Sequence, residues 1–204
     1  YLQSGNMVFK AAKAGNDVLA KRISGAIRDH KAVDVTVMVR DAAEWGKIID
    51  GNPYPQAHEF PKTVHTFILD ETDAPVLLIS AGIGATPVLA MLHTLAAEHS
   101  DREVWWLHGA RSSREHPFAA EARALLALLP HAHVQVFYSR PGPEDTQGRD
   151  YDRAGRLTAP VLAELEPPRD AEAYICGPAP FMDEASAGLT AIGLDPADVH
   201  TEPF

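Results

Sequence analysis

Two short segments carry residue types able to cradle a nucleotide. In Gly82-Ile83-Gly84-Ala85-Thr86-Pro87, two glycines precede a proline suited to the first turn of a helix. Glycine lets the backbone approach a diphosphate, and a helix N-terminus adds free N–H groups and a favourable dipole. Tight strand-to-helix turns also use glycine, so both readings stand on this motif alone. Tyr174-Ile175-Cys176-Gly177-Pro178, with Phe181-Met182 behind it, marks a second such turn. Cys176 is either a small core hydrophobe or a thiol at the edge of a crevice. Nucleophilic use would need a base that the spacing does not supply. Ser139-Arg140, with Arg149 and Tyr151 downstream, suggests a seat for a ribose. Arginines there either pair with a 2′-phosphate and favour NADPH or, like Arg153 and Arg156, are solvated loop charges.

Other chemistries are excluded or weak. Lys62 is the last lysine of the chain, so the glycine loop cannot be a P-loop of the Walker type. No Gly-x-Ser-x-Gly nucleophile elbow occurs. His131 and His133 alternate, but no third ligand stands at metal-site spacing, so no metal is expected. Trp105 and Trp106 read as packing residues on opposite faces of a strand. Glu144-Asp145, Asp150 and Asp152 read as a solvated acidic turn.

Alternating strands and helices position the two loops. Val76–Ile79, Val104–Leu107, Val134–Tyr138, Ala173–Cys176 and Val199–Phe204 are expected as strands. The helices expected between them are Pro87–Ala97, Glu115–Leu129, Ala159–Leu165 and Pro178–Ile192, the last stopped by Gly193. Such an order predicts an α/β fold with a doubly wound, mainly parallel sheet, whose ligand sits at the carboxyl ends of the strands. On this reading Gly84→Val abolishes dinucleotide binding and leaves the fold largely intact. The front of the chain reads as strand, helix, strand, helix, strand: Asn6–Lys10, a helix capped by Asp17 and carrying Val18, Leu19, Ile23 and Ile27 on one face, alternating Val33–Val39, a short helix capped by Asp41, and Val64–Leu69.

Charge divides the chain at the same place. Of 204 residues and a net charge of −10, residues 1–70 hold nine Lys and Arg against eight Asp and Glu. The remainder holds nine arginines against twenty acids. Two units are therefore expected, 1–70 and 74–204, joined near Asp70–Ala74. An acidic chain is a poor partner for nucleic acid or an anionic membrane surface. No apolar run approaches the length of a membrane helix. One cysteine forms no internal disulfide, which fits a cytoplasmic location.

The second unit resembles the NAD(P)-binding domain of the ferredoxin–NADP reductase superfamily, of the flavohaemoglobin and oxygenase-reductase type. The resemblance rests on Gly82–Leu92, His108-Gly109-Ala110-Arg111, Cys176-Gly177-Pro178 with Phe181-Met182, and His200-Thr201-Glu202-Pro203-Phe204. It implies that Gly82, Ile83, Gly84, Thr86 and Pro87 cradle the pyrophosphate of NAD(P)H. His108, Gly109, Ala110 and Arg111 would line the nucleotide path, with Ser139, Arg140, Gly177, Pro178 and Met182 around it. Cys176 would lie against the nicotinamide, Glu202 would set the charge around hydride transfer, and Phe204 would lie on a flavin ring. In that superfamily FAD sits on a separate barrel carrying an Arg-x-Tyr-Ser motif, which residues 1–73 lack.

The first unit resembles part of a bacterial family of unknown function, the domain of unknown function 1697. It does so through Tyr1–Phe9, Asn52-Pro53-Tyr54-Pro55 and the strand that follows. The resemblance implies a partial, ferredoxin-like α/β segment. Three functions follow as expectations: a reductase module passing hydride from NAD(P)H to a flavin held weakly or on a partner, a dinucleotide-binding module without turnover, and a fusion of two partial domains without activity.

Overall fold

The structure is a computed structural model, and it describes residues 8–11, 14–31, 37, 39–50, 69 and 72–202. Its packing divides the chain into two compact units, Tyr1–His65 and Thr66–Phe204.

The described part of the first unit is helical. Helix α1 spans Asn16–Lys31 and α2 spans Ala42–Asp50. α1 begins one residue before Asp17, since the Leu19 N–H already bonds the Gly15 carbonyl at 3.1 Å. Asp17 thus lies in the first turn rather than at the cap, where its charge still complements the helix dipole. Asp41 does cap α2. Its carboxylate accepts from the N–H groups of Ala43 at 2.7 Å and Glu44 at 2.9 Å, and Glu44 reaches back to the Asp41 N–H at 2.6 Å. This reciprocal pair is a capping box. Of the three expected strands, Val8–Lys10, Val37, Val39 and Leu69 are irregular. The other residues of those strands, with Asn52–Pro55, lie outside the described set.

The second unit is built on a six-stranded parallel sheet in the order β4-β3-β2-β1-β5-β6. Its strands are β1 (Val76–Ala81), β2 (Val104–Ala110), β3 (Ala132–Tyr138), β4 (Arg153–Ala154), β5 (Glu172–Cys176) and β6 (Val199–Glu202). Its helices are α3 (Ala85–Ala97), α4 (Ala119–Leu126), α5 (Ala159–Leu165) and α6 (Ala179–Ile192). Val76–Ile79 is apolar at every position because both faces of β1 are covered. Val76, Leu78, Trp106 and Tyr174 meet Val88, Leu92 and Leu95 of α3 in one core. Leu77, Ile79, Leu107 and Phe137 meet Leu162 of α5 and Leu189 of α6 in the other. Trp105 packs on this second core and stacks on His133 at 4.6 Å, so the two tryptophans do occupy opposite faces.

Two elements depart from expectation. α4 is shorter than Glu115–Leu129, because a residue before proline is steered away from helical backbone. His116, ahead of Pro117, is extended at φ −96°, and Phe118 enters α4 through the left-handed region at φ 59°. β4 carries no apolar run. It forms because the Asp152 carboxylate accepts the Val136 N–H at 2.7 Å and draws the chain alongside β3.

Candidate functional site

Strand order reverses at β1, since β2, β3 and β4 add on one side and β5 and β6 on the other. The crevice this leaves above the carboxyl ends of the strands is a cleft of about 650 Å³. Three glycine-bearing turns form its floor: Gly82–Gly84 after β1, Gly109 at the end of β2 and Gly177 after β5.

Each turn is shaped by packing. Gly82 takes φ +56°, a conformation other residues resist, with open space where a Cβ would stand. Gly84 is needed for a different reason. A Cβ there would lie 2.6 Å from the Cys176 carbonyl carbon and 2.8 Å from the Gly177 Cα. The β1 and β5 loops therefore touch backbone to backbone. Any side chain at Gly84 must displace one of them, so the expectation that Gly84→Val spares the fold does not stand. The Thr86 hydroxyl donates to the Ile83 carbonyl at 2.9 Å and steadies the turn. α3 then starts with no side-chain cap. The Ala85 N–H closes the turn on the Gly82 and Ile83 carbonyls and Pro87 has no N–H, so what α3 turns toward an anion in the cleft is its positive dipole end, which suits a dinucleotide pyrophosphate.

Beneath the floor runs a buried polar row. Cys176 of β5, Ser80 of β1 and His108 of β2 stand in register on adjacent strands, each one residue before a residue lining the cleft. Ser80 and His108 are fully buried and share a hydrogen bond at 2.9 Å. His108 stacks on His116 at 4.5 Å, and His116 bonds the Tyr138 hydroxyl at 3.0 Å. Tyr138 in turn stacks on Tyr151 at 4.9 Å. Burial pushes His108 down to about 3, with His116 nearby adding to the shift. His116 is lowered to about 4, mainly by burial and then by Arg123. Burial also raises Tyr138 to about 12. Both rings are therefore neutral at ordinary pH.

The loop between β3 and β4 is organised by its acids rather than merely solvated. The Asp145 carboxylate accepts from the Gly142 N–H at 2.7 Å, and Asp150 accepts from the Thr146 N–H at 2.8 Å. A hydrogen bond from the Ser113 side chain contributes most to holding Asp145 below the usual carboxylate range. Arg149 pairs with its neighbour Asp150 at 2.7 Å.

The cleft thus gathers Gly82, Ile83, Gly84, Gly109, Ala110, Arg111, Ser139, Gly177, Pro178 and Met182 from the sequence reading. Thr86, Pro87, His108 and Cys176 support the walls without lining them, and Arg140 is exposed beyond the rim. The Glu202 side chain and Phe204 lie outside the described residues. Sequence reasoning missed Glu115, Arg156, Leu157 and Glu184 as lining residues. Arg156 follows Gly155 at φ +116°, and that glycine was the available signal of a turn there. His131 and His133 assemble no metal site, and among the described residues no cluster of three metal-binding side chains occurs. No described helix is long and apolar enough to cross a membrane.

Comparison with known proteins agrees with this geometry. Residues 78–187 match the family "Oxidoreductase NAD-binding domain", and residues 1–83 match "Protein of unknown function (DUF1697)". A flavohemoprotein of Deinococcus radiodurans is 39% identical over 138 residues, 68% of this chain and 34% of that protein. One of Bordetella pertussis is 34% identical over 160 residues, 78% of this chain and 38% of its own length. The chain spans about a third of these curated relatives. Among solved structures, the flavohem-like FAD/NAD binding domain of nitric oxide dioxygenase from Vibrio cholerae superposes with a TM-score of 0.59 at 39% identity. That match covers 69% of this chain and 55% of the other. Flavohemoglobin from Malassezia yamatoensis, solved with FAD and heme, gives 0.58 at 25% identity, covering 83% and 43%. With a parallel sheet that reverses at β1, glycine turns in contact across the switch point and this family match, the chain belongs to the oxidoreductase NAD-binding domain family.

Proposed function

We propose that this protein binds NAD(P)H in the cleft and presents its nicotinamide to a flavin carried by a partner protein or another domain, as an NAD(P)H:flavin reductase module. The observation that carries the reading is the contact between Gly84 and the Cys176-Gly177 backbone. It leaves a floor free of side chains under the uncapped N-terminus of α3. A pyrophosphate lies there against the backbone of the Gly82–Gly84 turn, and the nicotinamide then extends over Gly177 toward the polar row.

Hydride transfer belongs to the nicotinamide, and the chain supplies position and a neutral surround. Cys176 is 1% exposed, so its part is to hold the nicotinamide face from beneath the Gly177 turn rather than to react. Glu202, the last residue of β6 and in register with Cys176 of β5, is assigned to the flavin side of the transfer, as is Phe204 two residues later in the sequence. Arg140, free of Asp150 where Arg149 is not, is the residue of the sequence reading left to meet a 2′-phosphate, which would favour NADPH. The single buried cysteine suits a reducing, cytoplasmic setting.

The test is a flavin spectrum. The purified chain is titrated anaerobically with NADH and NADPH in the presence of excess FAD, then with a flavin-bearing reductase barrel. Bleaching of the flavin band above the uncatalysed rate supports the reading. Dinucleotide binding without bleaching leaves a binding module, and no binding removes the proposal.

A further inference from the structure

Among the described residues, four ionisable side chains line the cleft: Arg111, Glu115, Arg156 and Glu184. Three have partners. Arg111 bonds Glu115 at 3.1 Å, and the Glu184 carboxylate accepts the Ala159 N–H at 3.4 Å. Arg156 has neither an acid nor a hydrogen-bond acceptor among the described residues, although acids outnumber arginines by more than two to one after residue 70. Arg140 and Arg169 also lack an acid among the described residues, but of these three arginines Arg156 is the one that lines the cleft.

Its backbone is held on both sides. The Gly155 N–H donates to the Tyr138 carbonyl at 2.8 Å, and Leu157 is 5% exposed in the core shared with Met182. Arg156 is therefore presented from a fixed point. Across the cleft, Gly82–Gly84 and the start of α3 offer a partial charge of about +0.5 but no cation. A pyrophosphate brings two full negative charges, and lysine is absent from the unit. We infer that Arg156 is the pyrophosphate-binding cation of the cleft, closing over the dinucleotide opposite the Gly82–Gly84 turn. This inference rests on the cleft being a dinucleotide site. It assigns the shared pyrophosphate rather than a 2′-phosphate, because Arg156 lines the same cavity as the glycine turn and the exposed Arg140 does not.

The experiment titrates the full chain with NADH, NADPH and ADP-ribose, for wild type, Arg156→Gln, Arg156→Lys and Arg140→Gln. A melting curve for each variant verifies folding. Arg156→Gln is expected to weaken all three ligands alike by roughly ten-fold, the scale of a lost charge-assisted hydrogen bond, and to flatten the salt dependence of binding. Arg156→Lys should recover part of the loss, and Arg140→Gln should leave ADP-ribose unaffected. Unchanged affinities in Arg156→Gln overturn the inference while leaving the dinucleotide site standing. A loss confined to NADPH moves Arg156 to the 2′-phosphate and overturns the pyrophosphate assignment. A wild type that binds none of the three overturns the reading of the cleft, and this inference with it.

Discussion

A methyl group added at Gly84 has nowhere to go, because the Cys176-Gly177 backbone already fills the space. Gly84→Ala should therefore lower stability by about 1–3 kcal/mol, the range for overpacking, and weaken NADH binding with it. Thermal melting and a binding titration check both. Ile83 separates the two effects, since it is 66% exposed at the tip of the same turn. Ile83→Asp should leave the melting temperature within a degree or two. It should weaken NADH by about ten-fold through repulsion of the pyrophosphate. Unchanged affinity in that variant would place the phosphates elsewhere. The buried histidines predict a pH effect whose sign follows from their lowered values. An unfolded histidine protonates near 6.5, whereas His108 does so near 3 and His116 near 4. Stability is then full above about pH 6.5 and is lost as the pH falls toward these folded values. The loss is on the order of 1.4 kcal/mol per pH unit for His108 and less for the partly exposed His116. In His116→Gln the slope of stability against pH between 4 and 6 should be shallower than in wild type. Denaturant titrations at several pH values would show it, and an equal slope would sink the idea.

At the scale of elements, the amino edge of the sheet is tied by one buried ion pair. Arg102 approaches Glu172 at 3.7 Å and donates to the Ala74 carbonyl at 2.6 Å. The Tyr174 hydroxyl and the Thr72 hydroxyl also donate to Glu172, at 3.1 and 2.9 Å. Glu172→Ala would remove the buried carboxylate that Arg102, Tyr174 and Thr72 share at the entry to β1 and should cost about 3–5 kcal/mol, measurable as a shift in denaturant midpoint. The apolar strands and α3 were legible because a segment covered on both faces needs no polar position, as Val76–Ile79 shows. α5 was legible to its boundaries, from Ala159 to Leu165. The two failures have different causes, one local and one long-range. Pro117 cuts back α4, a restriction visible in the sequence but outweighed by the Ala- and Leu-rich run behind it. β4 is made by a long-range bond from the Val136 N–H to Asp152, and no periodicity announces such a strand.

Over the whole molecule, every described residue lining the cleft falls between Ala81 and Glu184, within the unit Thr66–Phe204. Both apolar cores of the sheet are built from residues of that unit as well. A chain lacking residues 1–65 should therefore bind NADH as tightly as the full chain. A loss of more than about three-fold, read by titration, would assign residues 1–65 a part in the site. Sequence alone determined the doubly wound class, the two loops that face each other and the absence of a P-loop lysine. Each of these is a matter of local residue type and period, which backbone sterics and burial translate directly. Only the tertiary structure decided which charges are free. Arg149 and Arg156 are alike as residues in one loop region. One lies 2.7 Å from an acid and the other lines the cleft, because packing across β3, β4 and α6 sets what each can reach.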